Sequence, residues 1–425
     1  MASFSIPLTG LDADSTALNT IANNLANMNT TGFKAETVNF ADLFYQQIGA
    51  SGSGDPLQVG AGTQIASTTT DFSNGTPTST SVDTDVALQG NGFFVVSDGT
   101  NQYLTRAGDF TIAANGDLTT ANGLNVMGYP AVNGAVNTNS PLAPINIPES
   151  AILPPQATTS FTMTANLDSD GSNQTFPATV EVYDSLGQMH TATITYTQTG
   201  TNAWNYSIAL PDSDFAGGVC TPVTGSMSFD ANGNLTSITP AGAAGPETVG
   251  TAAGDVSSIP VAFTGLADKA SDLNMTWNLL GNGGTPIISQ VASPSAVSAT
   301  NQNGFSSGQY QGFTIGSDGT VTVTYSNEQK LNVGRIALGN VANLQGLQDA
   351  GNDEYATTLA SGNAAIGTSG SAGLGTFQDG ALEGSNVNIS AEFSDLIIAQ
   401  RAFEANSKSV TTFDTITQET IQMIH

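Results

Sequence analysis

Positive charge is scarce in this chain. Its 425 residues include 7 lysines and arginines against 35 acids, for a formal net charge of −28. No basic patch is available to hold phosphates, which excludes nucleic acid as a partner and disfavours anionic membrane surfaces. From Ala107 to Asp268 there is no lysine or arginine at all, so this stretch should present a solvated, acidic surface. Cys220 is the single cysteine, and an intrachain disulfide is therefore impossible. In "GGVCTPV" it reads as a small buried hydrophobe rather than a nucleophile. No run approaches the roughly 20 apolar residues of a membrane-crossing helix, so no membrane insertion is expected. The opening "MASFSIPLTGLDADS" has neither the cations nor the apolar core of a signal peptide. Export, if it occurs, should use a route without a cleaved signal.

The residues of catalysis are equally thin. His190 falls in a predicted hairpin and His425 is the last residue, a placement that offers no triad and no metal cluster. "LDSDGSN" at Leu167 has the flavour of a calcium loop but lacks EF-hand spacing and its closing glutamate, since position 179 is Thr179. Gly90 and Gly92 in "LQGNGFFVV" have no third glycine and precede a strand pattern, not a helix, which rejects a phosphate cradle. No catalytic, metal or cofactor-binding residue is expected, and the chain does not read as an enzyme.

Two helical seams are present, one near each end. Leu11, Leu18, Ile21, Leu25 and Met28 repeat every three and four residues, and "TGLD" at Thr9 reads as a capping box. The predicted helix runs to about Asn29 and stops at Gly32, the expected hinge. At the far end Asn388 caps a second predicted helix reaching about Ile424. Its register places Ile389, Leu396, Phe403, Val410 and Ile424 in one row, with Thr417 filling a gap, and Ala399, Asn406 and Phe413 three residues on. Each helix is a natural partner for the other, although the seams alone leave open whether that partner lies in the same molecule.

Strands lie between them. "DFTIAANGDLTT", "SFDANGNLTSI" and "GFTIGSDGTVTV" each read as a hairpin turning at Asn-Gly or Asp-Gly through a tight type I′ turn, and as generic hairpins rather than a repeat. Ser51–Gly62 and Ala360–Gly375 read as flexible, and the proline-rich Pro141–Gln156 as an exit into a separate domain. The fold class expected is mainly β with a terminal coiled-coil part. The layout is nested: residues 1–32 with 386–425 form a helical domain, 33–75 an extended linker, 76–157 with 296–385 a core antiparallel β domain, and 158–295 an inserted one.

Several of these stretches resemble a known family. "NTIANNLANMNTTGFKAE" is similar to the N-terminal signature of bacterial flagellar rod and hook proteins. "VDTDVALQGNGFFVV" and "YLTRAGDFTIAANGDLTTANGLNVMGYP" resemble that family's core β domain, and "GALEGSNVNISAEFSDLIIAQRAFEANSKSVTTFDTITQETIQMI" its C-terminal helix. "VEVYDSLGQMHTATITYTQTGTNAWNYSI", with its Asp-Ser-Leu-Gly turn and Trp204, is similar to the outer domain of the hook branch. The resemblance implies a structural subunit that polymerises into a flexible curved tube, joins rod to filament and transmits torque. It also implies copies of the chain itself, the distal rod, the hook cap, hook–filament junction proteins and the flagellar export apparatus as partners. A distal rod protein is the alternative within the family. A secreted β-rich adhesin would leave the two terminal seams without a purpose.

Overall fold

The computed structural model describes residues 5–44, 46–50, 56–170 and 174–423. Its two long helices are α1, Ser5–Ala26, and α2, Ile389–Met423. Helix α1 begins four residues before the expected cap. Pro7 is tolerated in its first turn, where the missing N–H has no intrahelical partner in any case. Thr9 therefore sits inside the helix, its hydroxyl donating to Ile6 O at 2.7 Å and accepting from Thr63 N–H at 3.4 Å. The Asn388 cap is as expected: its Oδ1 accepts the N–H groups of Ser390 and Ala391 at 3.1 and 3.2 Å. Ile424 and His425 lie outside the described residues.

The hairpins differ from expectation in one respect. Only the glycine of each turn has positive φ: +87° at Gly116, +81° at Gly233 and +84° at Gly319. A type I′ turn needs two such residues. Each turn instead closes with the glycine N–H on the residue three before it, as in Gly116 to Ala113 O at 2.8 Å. A second bond then joins the strands, Ala113 N–H to Asp117 O at 2.9 Å. This is a type I turn followed by a glycine bulge, which asks for left-handed backbone at the glycine alone.

The chain forms two compact units, residues 1–149 with 312–324 and 330–425, and residues 150–311 with 325–329. In the first, strands Phe93–Ser97, Gln102–Thr105 and Asn125–Val132 lie side by side, antiparallel. Phe93, Phe94, Val95 and Val96 are all buried, so this strand is covered on both faces. The expected linker 33–75 is largely strand. Glu36–Asp42 pairs antiparallel with Thr63–Thr70, and Gln46–Ala50 with Pro56–Val59. The Ala360–Gly375 stretch likewise holds a strand, Ala365–Gly367, paired with Leu338–Asn340. Thr376–Asp379 then pairs with Val86–Gln89, and Ala381–Glu383 with Pro77–Ser79, so the chain re-enters beside the segment it left.

The second unit is two sheets around one core. An antiparallel six-stranded sheet runs Thr175–Tyr183, Met189–Gly200, Ala203–Ala209, Val223–Phe229, Leu235–Pro240, Glu247–Thr248. The other sheet is mixed, not wholly antiparallel, because Ser160–Asp168 pairs parallel with both Leu273–Asn278 and Ile288–Val291. Alternate residues of both sheets point into the core, where Trp204 and Trp277 are fully buried and Phe161 stacks on Trp277 at 6.1 Å. Cys220 joins the same core.

Both tryptophans of the chain lie here, so indole fluorescence reports this unit alone. Trp277→Ala should destabilise it by about 3–5 kcal/mol through the cavity it opens. Urea unfolding followed by the remaining Trp204 measures this, and a loss under about 1 kcal/mol would mean the site collapses around the smaller side chain.

Candidate assembly surface at the joined chain ends

Helices α1 and α2 run antiparallel. Asn24 Nδ2 donates to Glu392 Oε1 at 3.0 Å near one end, and Asn406 Nδ2 to Asp14 Oδ2 at 2.8 Å about halfway along both helices. Of the seam residues expected from the sequence, Leu11, Leu18, Ile21, Leu25, Leu396, Val410 and Phe413 are half-buried. Met28, Ile389 and Phe403 are exposed. Full burial inside the helices is confined to Pro7, Ala13, Asn24 and Ala399. The pair is therefore positioned by small residues and amides at least as much as by its heptad side chains.

Asn24 explains how the helix is held where it stops. Its amide donates to Glu36 O at 2.8 Å as well as to Glu392, and its Oδ1 accepts Glu36 N–H at 3.0 Å. A single buried side chain thus ties α1, the strand that follows and the first turn of α2. Burial raises the Glu392 carboxyl above its usual range, against the Asn24 bond and with the help of Asp395.

Below this junction lies a buried charge knot. Glu383 accepts from Lys34 Nζ at 2.6 Å on one oxygen and from Arg106 at 3.1 Å on the other. Lys34 also donates to Ser73 O at 2.8 Å, and Arg106 to Gly90 O at 2.7 Å and Leu88 O at 3.4 Å. The guanidinium stands 5.3 Å over the Phe93 ring. Burial pushes the pKa of both cations down, and Glu383 opposes it. Gly32 N–H donates to Glu383 O at 2.8 Å. Gly32 has φ +74°, and a Cβ there would lie 2.6 Å from Ala107 N, so both conformation and space demand glycine. Asn386 completes the closure, its Oδ1 accepting Ala35 N–H and its Nδ2 donating to Asp71 O, each at 2.8 Å.

Lys34, Arg106, Glu383, Asn24 and Asn386 were not singled out from the sequence. A usable signal existed: two of so few cations sit in "TTGFK" and "YLTRAG", among residues that otherwise look like buried turn. Nor were Phe393, Ile397 and Ile398 singled out; they lie off the expected row of Ile389, Leu396, Phe403 and Val410. Ile389, Phe393 and Ile397 repeat every four residues along α2 and remain exposed, with Ile398 65 % exposed beside them. Ile416, Ile421 and Met423 extend the exposed apolar surface towards the helix end.

The signatures in which this geometry lies match known family models. Residues 7–34 match the model "Flagella basal body rod protein", 87–171 "Flagellar hook protein FlgE/F/G D1 domain", 146–305 "Flagellar basal body protein FlaE D2 domain" and 378–423 "Flagellar basal body rod FlgEFG protein C-terminal". Flagellar hook protein FlgE of Salmonella typhimurium is 34 % identical, over 97 % of this chain and 98 % of that one. FlgE of Treponema pallidum is also 34 % identical, over 96 % of each. The chain belongs to the flagellar hook protein family. Its fold resembles the crystal structure of Helicobacter pylori flagellar hook protein FlgE2, with a TM-score of 0.55 at 15 % identity, over 72 % of this chain and all of that one. It is accordingly a structural subunit of the flagellar hook.

In this hook-family chain the knot should be costly to break from one side. Glu383→Gln leaves Lys34 and Arg106 buried without their carboxylate, which should cost about 3–5 kcal/mol in urea unfolding followed by circular dichroism. A loss under about 1 kcal/mol would show that water reaches both cations.

Asp353 gives a pH signature nearby. Burial first, then Asp349 and Asp109, raise its pKa to about 6, while Lys34 pulls the other way. The folded state thus holds a proton that the unfolded chain releases near 3.8. The stability this supplies is complete below that value and lost as pH rises towards 6. Asp353→Asn should leave stability unchanged at pH 3 and raise it at pH 7. Thermal melts across that range check this, and an equal effect at both ends would assign the gain to something other than the carboxyl charge.

Proposed function

We propose that the chain polymerises helically through α1 and α2 into the flexible, curved tube that links rod to filament and transmits motor torque. The exposed apolar stripe of α2 carries this reading. Ile389, Phe393, Ile397 and Ile398 form a run of large side chains left in water beside a helix pair that already has its own internal partner. Each such side chain gains about 1.5–3 kcal/mol on full burial, and a second copy of the same chain offers apolar surface of the same kind. The groove next to the stripe, lined by Ile21, Val38, Phe40, Ile398 and Ala399, supplies a complementary hollow.

On this reading the work of the chain is mechanical and its sites are surfaces, with no catalysis and no cofactor. Its contacts are copies of itself, then by family resemblance the distal rod, the cap, the junction proteins and the export apparatus that delivers it outside the cell without a cleaved signal. We read residues 1–32 with 386–425 as the polymerising part. The inserted segment 158–295 we read as an outer domain that tunes bending.

The decisive variant places a charge on the stripe without touching the monomer's own packing. Ile397 is 51 % exposed, so Ile397→Asp should melt like the wild type. It should form no tubes by electron microscopy, because assembly would bury an unpaired carboxylate. Leu25→Asp should also abolish tubes, here by separating the helix pair itself. Normal tubes from Ile397→Asp would remove the stripe from the assembly contacts.

A further inference from the structure

His190 is not as solitary as its sequence position suggests. The turn after strand Thr175–Tyr183, the short 3-10 helix Asp212–Asp214 and the loop before strand Leu273–Asn278 bring three aspartates to it. Nδ1 faces Asp214 Oδ2 at 2.8 Å; Nε2 faces Asp184 Oδ2 at 3.2 Å and Asp268 Oδ2 at 3.9 Å. The imidazole and Asp184 are buried, whereas the Asp268 carboxylate is 30 % exposed and opens the cluster to water.

We propose that Asp184, His190 and Asp268 form a binding site for a divalent transition-metal ion of the zinc class. A carboxylate can only accept from Nδ1, so the Nδ1 proton is committed to Asp214. Nε2 faces two carboxylate oxygens, and once it gives up its proton the three ligand atoms, all within 4.8 Å of one another, are free to bind one ion. A metal ion at the centre of this triangle would bind all three in place of the Nε2 proton. One nitrogen with two carboxylate oxygens suits zinc, bound at about 2.0–2.2 Å from each, with the fourth position open on the Asp268 side. Calcium prefers an all-oxygen shell of six or more ligands, which this cluster does not provide. Asp214 behind the imidazole is the carboxylate partner that fixes tautomer and ring orientation in metal-bound histidines.

The remaining contacts hold the ligands in place. Asp184 Oδ1 accepts the N–H groups of Leu186 and Gln188 at 2.8 and 2.9 Å, which leaves Oδ2 for the site. Asp268 Oδ1 accepts Ala270 N–H at 3.0 Å in the same way. Ser271 N–H donates to Ser185 Oγ at 2.9 Å, so the two ligand loops are already joined. A bound ion would clip segments far apart in sequence, with a structural effect.

The test uses the full chain, stripped with chelator and titrated with zinc chloride at pH 7.5. One zinc ion per chain should bind by calorimetry, and saturating zinc should raise the melting temperature. Cobalt(II) should give a visible d–d absorption band that zinc abolishes. Asp268→Asn removes a water-facing ligand without disturbing the core, should melt like the wild type without metal, and should bind zinc at least tenfold more weakly. His190→Gln should abolish the cobalt band. The proposal is overturned if zinc does not bind, if Asp268→Asn binds it equally, or if calcium competes on even terms; in each case a protonated imidazole suffices to close the cluster.

Discussion

Two cations sharing one buried carboxylate decide how this chain closes on itself. Lys34 follows the N-terminal helix, Arg106 directly follows strand Gln102–Thr105 and Glu383 precedes the C-terminal helix. Withdrawing three charges from water is expensive unless every donor finds an acceptor. The carbonyls of Ser73, Leu88 and Gly90 take further donors of the two cations, and Gly75 N–H adds a 2.8 Å bond to the carboxylate, while Arg106 Nε is buried without a partner. Because these directional bonds must all be met together, the knot holds the segment after α1 against the segment before α2. A hydrophobic cluster of the same volume would tolerate several arrangements. Charges with directional bonds tolerate few.

That constraint frees the helices from having to hold the fold alone. Gly32, Asn24 and Asn386 lock their near ends, and along the pair Ala13, Ala399 and two amide bonds add to the half-buried seam residues. Large apolar side chains remain exposed along α2. A subunit that must be ordered by itself and still have surface left for its neighbours is served by this division.

The sequence carried the regular parts of this arrangement and missed the idiosyncratic ones. The extent of α2 was legible because a cap with directional chemistry, Asn388, starts it and an apolar period runs the length of it. The hairpins were legible because glycine marks the left-handed position, although the turn type was not: that depends on the conformation of the residue before glycine, which Asn and Asp leave undetermined. Thr9 misled because a hydroxyl inside a helix bonds backward as readily as one at its start. The strands of residues 36–42 and 63–70 were invisible for a different reason. Their exposed, Thr-rich pattern gains its order from pairing and from α1, not from alternation of its own. Glu383 and its cations, and the aspartates around His190, could not be found by spacing, since their members are brought together only by the finished sheets.

In the proposed assembly, net charge sets the scale on which the exposed stripe would work. Copies of a chain with formal charge −28 repel one another over distances set by a screening length of about 8–10 Å at physiological salt. The charge is unevenly placed, however. Along the α2 stripe the apolar residues alternate with Ser394, Gln400 and Arg401 as well as with Glu392 and Asp395, so the repulsion is diluted where contact is closest. The stretch from Ala107 to Asp268, without a single cation, contains most of the second unit and keeps its surfaces from adhering nonspecifically. Short-range apolar attraction on one helix and longer-range repulsion elsewhere favour a single way for two copies to meet. On the proposed reading, specific assembly would follow from where the chain lacks charge as much as from where it is apolar.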